Sequence, residues 1–245
     1  MKPNVSKIVE EKWKLVYAEP DPTHTYVIGC DTASGKENAN ETVGTVLDVN
    51  TGVQVATLGG LITPEDFAVE VEKAGYLYNE ACIGVEKEYH GVTVLNHLRQ
   101  KEYPNIYFHP VHITAFNSGG ATEFGWDARR CRQIAIDWLQ RDFGWSVSTV
   151  KEERKRAVFL KDPETISQMG YFERNRKTGK FQAASGKFDD RVCALYIANY
   201  IRNEKWPDVF APEQIPEPEL TFLDKIAMEQ NSVDDRSMGR RDLGY

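Results

Sequence analysis

Two short apolar runs in this chain each end in a carboxylate. Thr25-Tyr26-Val27-Ile28-Gly29-Cys30 leads to Asp31, and Ala81-Cys82-Ile83-Gly84-Val85 leads to Glu86. Runs of this length, β-rich and without polar alternation, predict strands covered on both faces. Such strands belong to a sheet flanked by helices. The acid at the end of each run then stands at the rim of the sheet, because a core does not hold an unpaired charge.

The stretches around these runs complete the pattern. After a Gly, Asn and Ser loop at residues 32–40, residues 41–49 read as a second strand. Asn50-Thr51-Gly52 is a turn signal, and residues 53–61 return as a third strand in a meander. Thr63-Pro64-Glu65-Asp66 opens a helix with a Thr cap, Pro at the first position and acids at the positive end of the dipole, running to about Asn79. Residues 91–101 carry Val92, Leu95 and Leu98 at helical spacing, and Ile106 to His109 makes a fifth strand. A further helix is predicted over 126–143, with Ile134, Trp138 and Leu139 on one stripe. Two strands follow around Arg176-Lys177-Thr178-Gly179, and an apolar helix spans 189–201.

The expected fold is α/β: a mixed five-stranded central sheet of order 3-2-1-4-5 with helices on both faces, plus an extra β-hairpin. Its expected limits are residues 23–205. Residues 1–22 form an N-terminal extension, and residues 206–245 form an acidic tail rich in proline, with Pro207, Pro212, Pro216 and Pro218.

In that strand order the first and fourth strands are neighbours, so Asp31 and Glu86 emerge side by side at the switch point where open α/β sheets carry their chemistry. Asp189 and Asp190 open the last helix. Singly, each acid has an ordinary reading as a loop cap, a solvated strand end or a helix cap. As an ordered set they require a cation, since clustered carboxylates repel and lose their hydration together. Oxygen-only ligands suit Mg²⁺ or Mn²⁺, and a shared carboxylate can hold two such ions roughly 4 Å apart, an arrangement that activates water against a phosphodiester.

Other chemistries fit less well. Cys30, Cys82, Cys131 and Cys193 are widely separated with no C-x-x-C pair, which excludes a zinc ribbon and points to reduced thiols. His109 and His112 make an isolated H-x-x-H at a strand end, read as ordinary histidines. Residues 29–36 imitate a phosphate loop, but five residues separate the glycines and Glu37 replaces the metal-binding Ser or Thr. A sugar-kinase or actin-like ATPase would need a second copy of the motif, and the chain has no internal repeat. No apolar run reaches the roughly 20 residues that span a bilayer, so no membrane partner is expected.

Val27-Ile28-Gly29-Cys30-Asp31-Thr32-Ala33-Ser34-Gly35, Ile83-Gly84-Val85-Glu86-Lys87-Glu88-Tyr89-His90-Gly91 and Gly186-Lys187-Phe188-Asp189-Asp190-Arg191-Val192-Cys193-Ala194-Leu195, in this order, resemble the nuclease domain of the large terminase subunit of tailed bacteriophages. The resemblance covers about residues 25–200. It implies an RNase H-like fold and a metal-dependent endonuclease that cuts concatemeric viral DNA during packaging. Carried over by position, it makes Asp31, Glu86 and Asp190 metal ligands, with Asp189 an additional one. The family often has Asn where this chain has Glu88 and Tyr89, which leaves Glu88 as an alternative to Glu86; the strand pattern favours Glu86. Large terminases also carry an ATPase domain, so the chain is expected to be the nuclease part of a longer protein. Portal and small terminase subunit are the implied partners, and the host cytoplasm is the implied location. Other RNase H-like nucleases, such as a junction resolvase, a ribonuclease H or a transposase core, are the alternative.

The whole-chain charge of −7 argues against a protein coated in basic charge. That total hides a basic middle: residues 118–187 hold fourteen bases against nine acids, and residues 204–245 hold ten acids against five bases. Arg129, Arg130 and Arg132 at one helix start, the run from Lys151 to Arg156, and Arg174, Arg176, Lys177 and Lys180 in the hairpin are expected phosphate contacts for double-stranded DNA, with Lys187 beside the Asp-Asp pair. Trp126, Trp138 and Trp145 are expected in the core rather than under bases.

Overall fold

The computed structural model describes residues 9–11, 14–36, 40–109 and 123–209. His112 and the tail beyond residue 209 lie outside the described residues.

The first apolar run forms β3 (Tyr26–Asp31), preceded by two short strands, β1 (Val9–Glu11) and β2 (Lys14–Val16). The meander continues through β4 (Thr42–Asp48) and β5 (Gln54–Gly60), and the second apolar run forms β6 (Cys82–Val85). These six strands make one mixed sheet of order β1-β2-β5-β4-β3-β6. The four strands read from sequence at 25–30, 41–49, 53–61 and 81–85 therefore stand in the predicted order, with β3 parallel to β6 and antiparallel to β4.

The strand order departs from the expected one at both edges. The far edge gains β1 and β2, whose three-residue lengths leave no periodicity to read. The predicted fifth strand touches the sheet through a parallel bridge between Ile83 and Ile106, then leaves to pair as β7 (Phe108–His109) with β8 (Glu123–Phe124). Trp126 takes up the neighbouring hydrogen bonds instead, donating its N–H to the Val85 carbonyl at 2.7 Å and accepting from the Lys87 N–H at 3.0 Å.

Helices cover both faces. On one face α1 (Pro64–Leu77) and α2 (Gly91–Gln100) bury Phe67, Val71, Val94 and Leu98 against Ile28, Cys30, Val46 and Leu58. Thr63 caps α1 by accepting the Asp66 N–H, and Pro64 occupies the first turn, as the sequence predicts. On the other face α3 (Ala128–Gly144) and the later helix α6 (Asp190–Lys205) pack Trp126, Cys131, Ala135, Leu139, Val192, Leu195 and Ile201 over Val27, Leu47 and Cys82. The predicted stripes shift in register: Val92 and Ile134 are exposed, and Val94, Ala135 and Ile136 take the buried positions.

Between α3 and α6 lie two helices with no counterpart in the sequence reading, α4 (Lys151–Arg156) and α5 (Pro163–Tyr171). The basic run is a short helix. The predicted hairpin is present as β9 (Phe172–Arg174) and β10 (Phe181–Ala183). Among the described residues no helix is long and apolar enough to cross a membrane.

One local feature positions everything that follows. Gly29 and Gly84 are register partners on β3 and β6 and face α6. A Cβ on Gly29 would fall 2.2 Å from the Ala194 carbonyl oxygen, and one on Gly84 would fall 2.0 Å from the Ile201 Cδ1. The missing side chains let α6 lie close upon the sheet. Because strand side chains alternate, the residues two positions on, Asp31 and Glu86, emerge on that same face.

Candidate active site

Four acids meet where β3 and β6 end and α6 begins. Asp31 is the last residue of β3, and Glu86 follows β6, with its N–H donated to the Cys30 carbonyl at 3.1 Å. The side chains of Asp31 and Glu86 are hydrogen-bonded to each other. Asp190 opens α6 and is 2% exposed; its Oδ2 accepts the Glu41 N–H at 2.9 Å. Asp189, at the helix N-cap, does not cap α6 through its side chain. Its Oδ2 accepts the Ala183 N–H at 3.1 Å instead, which ties the end of the β9–β10 hairpin to the site.

Three of these carboxyls, Asp31, Glu86 and Asp190, are raised above the ordinary carboxylate range. Burial pushes Asp31 well above the ordinary carboxylate range, and the charges of Glu86, Asp190 and Asp189 push in the same direction. Burial also raises Glu86, opposed by the Arg132 guanidinium and aided by Glu88. Asp190 is pushed up to about 6, first by burial and then by Asp189 and Glu41, against the Glu41 N–H and Arg191. Burial first, and then the charges of Asp31 and Asp189, push the Cys193 thiol well up, so it stays a thiol beside Asp31.

The donor set is all oxygen and suits a hard divalent cation. A proton shared within a buried carboxylate pair is one that such a cation can displace. Each carboxyl is engaged with the protein, and among the described residues no three His, Cys, Asp or Glu side chains are gathered around one point as metal ligands. The acids form a coupled cluster rather than a closed cage.

Glu86 and Glu88 stand in different surroundings. Glu86 faces Asp31, whereas Glu88 points away to Arg129 (Oε1 to Nε, 2.6 Å). The His-Gly signature after the acid has a steric basis, since a Cβ on Gly91 would fall 1.7 Å from the Glu86 carbonyl oxygen. Of the candidate phosphate contacts, Arg129 is 81% exposed, and Arg130, 51% exposed, pairs with Asp127 at 3.3 Å. Arg174, Arg176, Lys177 and Lys180 are exposed on the hairpin, with the Arg174 Nε donating to the Gly179 carbonyl at 3.0 Å. Lys187 lies 4.4 Å above the Tyr171 ring.

Three residues at the site carry roles that the sequence reading did not assign. Arg132 lies over the Tyr196 ring at 5.8 Å and donates to the Phe181 carbonyl at 3.4 Å. Burial works against its charge, and Tyr196, Cys193, Asp189 and Glu86 sustain it. Arg191 holds Asp162 at 2.8 Å and Glu41 at 3.1 Å, clamping the segment that donates to Asp190 against the start of α6. Cys193 lies one helical turn beyond the Asp-Asp pair. The spacing of Cys193 from Asp189 was readable; the Arg partners are distant in sequence and left no signal.

A mixed sheet with helices on both faces, with acids at the ends of its two adjacent parallel strands, β3 and β6, and at the start of the helix above them, defines an RNase H-like fold. Within that class the fold is the one found in large terminase nuclease domains. The large terminase nuclease of thermophilic phage G20c with bound magnesium superposes with a TM-score of 0.57 at 18% identity, over 78% of this chain and 89% of that one. The cobalt-bound form of the same nuclease matches equally well, with a TM-score of 0.57 and 18% identity over the same shares, 78% and 89%. The large terminase nuclease domain of Thermus phage P74-26 gives 0.55 at 17% identity, over 82% and 92%. No protein-family model and no curated protein sequence matches the chain.

Proposed function

We propose that this chain is a divalent-metal-dependent endonuclease that cuts double-stranded DNA concatemers during viral genome packaging. The observation that carries the reading is the meeting of Asp31, Glu86, Asp189 and Asp190 where β3 and β6 end and α6 begins. The fold it shares with nucleases whose structures hold magnesium or cobalt supports the same reading.

In this reading Asp31, Glu86 and Asp190 are the metal ligands, with Asp189 an additional one. Asp31, flanked by the other three, is the shared ligand. A pair of Mg²⁺ or Mn²⁺ ions bound there would supply an activated water and a stabilised leaving oxygen. The protein's own part is to hold four carboxylates on a rigid rim, α6 being pressed onto the strands by Gly29 and Gly84. Arg129, Arg130, Arg174, Arg176, Lys177, Lys180 and Lys187 hold backbone phosphates, which gives affinity without sequence reading. The partners are the ATPase domain of the same full-length protein, the portal and the small terminase subunit, in the host cytoplasm. Residues 23–205, with β1 and β2 of the N-terminal extension added at the far edge of the sheet, are the nuclease domain, and the Pro-rich tail follows it.

The test is cleavage of supercoiled plasmid in Mg²⁺ or Mn²⁺ by the full chain and by Asp31→Asn. Nicking and linearisation by the parent, with no cutting by the variant, is the expected result. Undiminished cutting by Asp31→Asn would falsify the proposal. A strong preference for RNA–DNA hybrid or four-way junction over duplex would instead place the chain with the other RNase H-like nucleases.

A further inference from the structure

Beside the acid cluster lies a cavity of about 560 Å³ lined by Lys87, Glu88, Tyr89, Asp127, Arg129 and Arg130. It opens where the chain turns from Glu86 into α2, so a strand crossing the acids passes it. Two observations distinguish it from an ordinary charged surface. The first is its composition: three cations against two acids. Lys87 Nζ lies 2.9 Å from Asp127, and both arginines engage their carboxylates through Nε, Arg129 with Glu88 and Arg130 with Asp127. A guanidinium carries five N–H donors, more than one carboxylate takes up, so each arginine can also receive a further oxyanion.

The second is Tyr89. Its φ is +47°, a left-handed conformation that a bulky side chain adopts only at a cost. Its ring is 89% exposed. The fold therefore holds an aromatic residue in a strained conformation while burying almost none of it. Glycine would meet the backbone demand better. Strain kept at a position that contributes little packing points to use outside the fold.

We infer that this cavity is a nucleotide subsite: Arg129, Arg130 and Lys87 take a DNA backbone phosphate next to the cleaved bond, and the Tyr89 ring packs against the sugar and base attached to it. The inference rests on the nuclease reading and adds to it a particular seat for one nucleotide unit. An exposed tyrosine ring beside a phosphate-binding fork is the pairing by which proteins grip a nucleic-acid strand without reading its sequence. Glu88 and Asp127 keep the arginines oriented until the phosphate arrives.

The experiment uses the full chain carrying Asp31→Asn, which blocks cutting, and measures binding of a fluorescein-labelled duplex by anisotropy over a range of salt. In that background Tyr89→Gly is expected to melt at the same temperature or higher, because the backbone strain is relieved, yet to bind about tenfold more weakly. Tyr89→Phe should bind as the parent does. Arg129→Ala with Arg130→Ala should lower the salt slope by about 1 to 2 and weaken binding at low salt. Parent-like binding by Tyr89→Gly overturns the subsite. If the unblocked chain still cuts plasmid in an Asp31-dependent way, the subsite alone has failed. If the unblocked chain neither binds nor cuts duplex, both readings fall.

Discussion

Gly29 of β3 lies directly against Ala194 of α6, close enough that a single added carbon would stand 2.2 Å from the Ala194 carbonyl oxygen and 2.3 Å from the Ala198 nitrogen. Both obstacles are backbone atoms, which cannot swing aside as a side-chain end can. Gly29→Ala should therefore force α6 off the sheet and cost about 3 kcal/mol or more, at the upper end of overpacking penalties. Urea denaturation would show it, and an unchanged midpoint would refute the close contact.

Asp190 gives a link between pH and metal. Its pKa in the fold is about 6, against 3.8 for a free aspartate. The folded state thus holds a proton that the unfolded chain has lost, and this contribution to stability falls as pH rises from about 4 to 6. In the proposed reading a metal ion bound at Asp190 displaces the same proton. Mg²⁺ or Mn²⁺ should therefore raise the melting temperature more at pH 7.5 than at pH 5, and Asp190→Asn should remove most of that difference. Calorimetry at the two pH values is the check; equal metal shifts in the parent would contradict it.

Arg191 tests the scaffold separately from the chemistry. It pairs with Asp162, which is 1% exposed and also accepts from the Tyr17 and Thr165 hydroxyls. Burial would raise the Asp162 carboxyl, but Arg191 and these donors hold it below the usual value. Its contribution is present above the unfolded pKa and is lost as pH falls through the lowered one, in the region below 3.8. Arg191→Ala leaves a buried carboxylate without its cation and should cost about 3–5 kcal/mol near neutral pH. Chemical denaturation at pH 7 would measure it, with a loss below 1 kcal/mol counting against the clamp.

The hairpin makes a further prediction. Replacing Arg174, Arg176, Lys177 and Lys180 together by alanine should weaken duplex binding uniformly across sequences and reduce the salt slope by about 2 to 4. Cutting at saturating DNA should persist, since none of the four touches the acids. A loss of cutting at saturation with unchanged affinity would move these residues from gripping DNA to organising the site.

Much of this arrangement was readable because strong local signals coincide with global ones. The two apolar runs ending in Asp31 and Glu86 became β3 and β6, neighbours in the sheet, and the Thr63-Pro64 cap set the start of α1. The Asp162-Pro163 cap of α5 carries the same kind of signal, yet it lies beyond a dense charge run that hid it. The glycine two residues before each acid was also visible, in Gly29-Cys30-Asp31 and Gly84-Val85-Glu86, but its meaning depends on a helix more than a hundred residues away. The departure of Ile106 to His109 from the sheet could not be read, because a strand's partner is a tertiary choice. The same holds for Arg132 and Arg191, whose partners are brought to them only by folding.

The acids of the site come from the ends of β3 and β6 and from the last helix of the described chain. During synthesis Asp31 and Glu86 are in place long before Asp189 and Asp190 leave the ribosome. A growing or truncated chain that lacks α6 carries only half of the acids and has no helix seated over the glycines. The order of the chain thus delays the gathering of the four acids until α6, the segment that also closes the core, has been made.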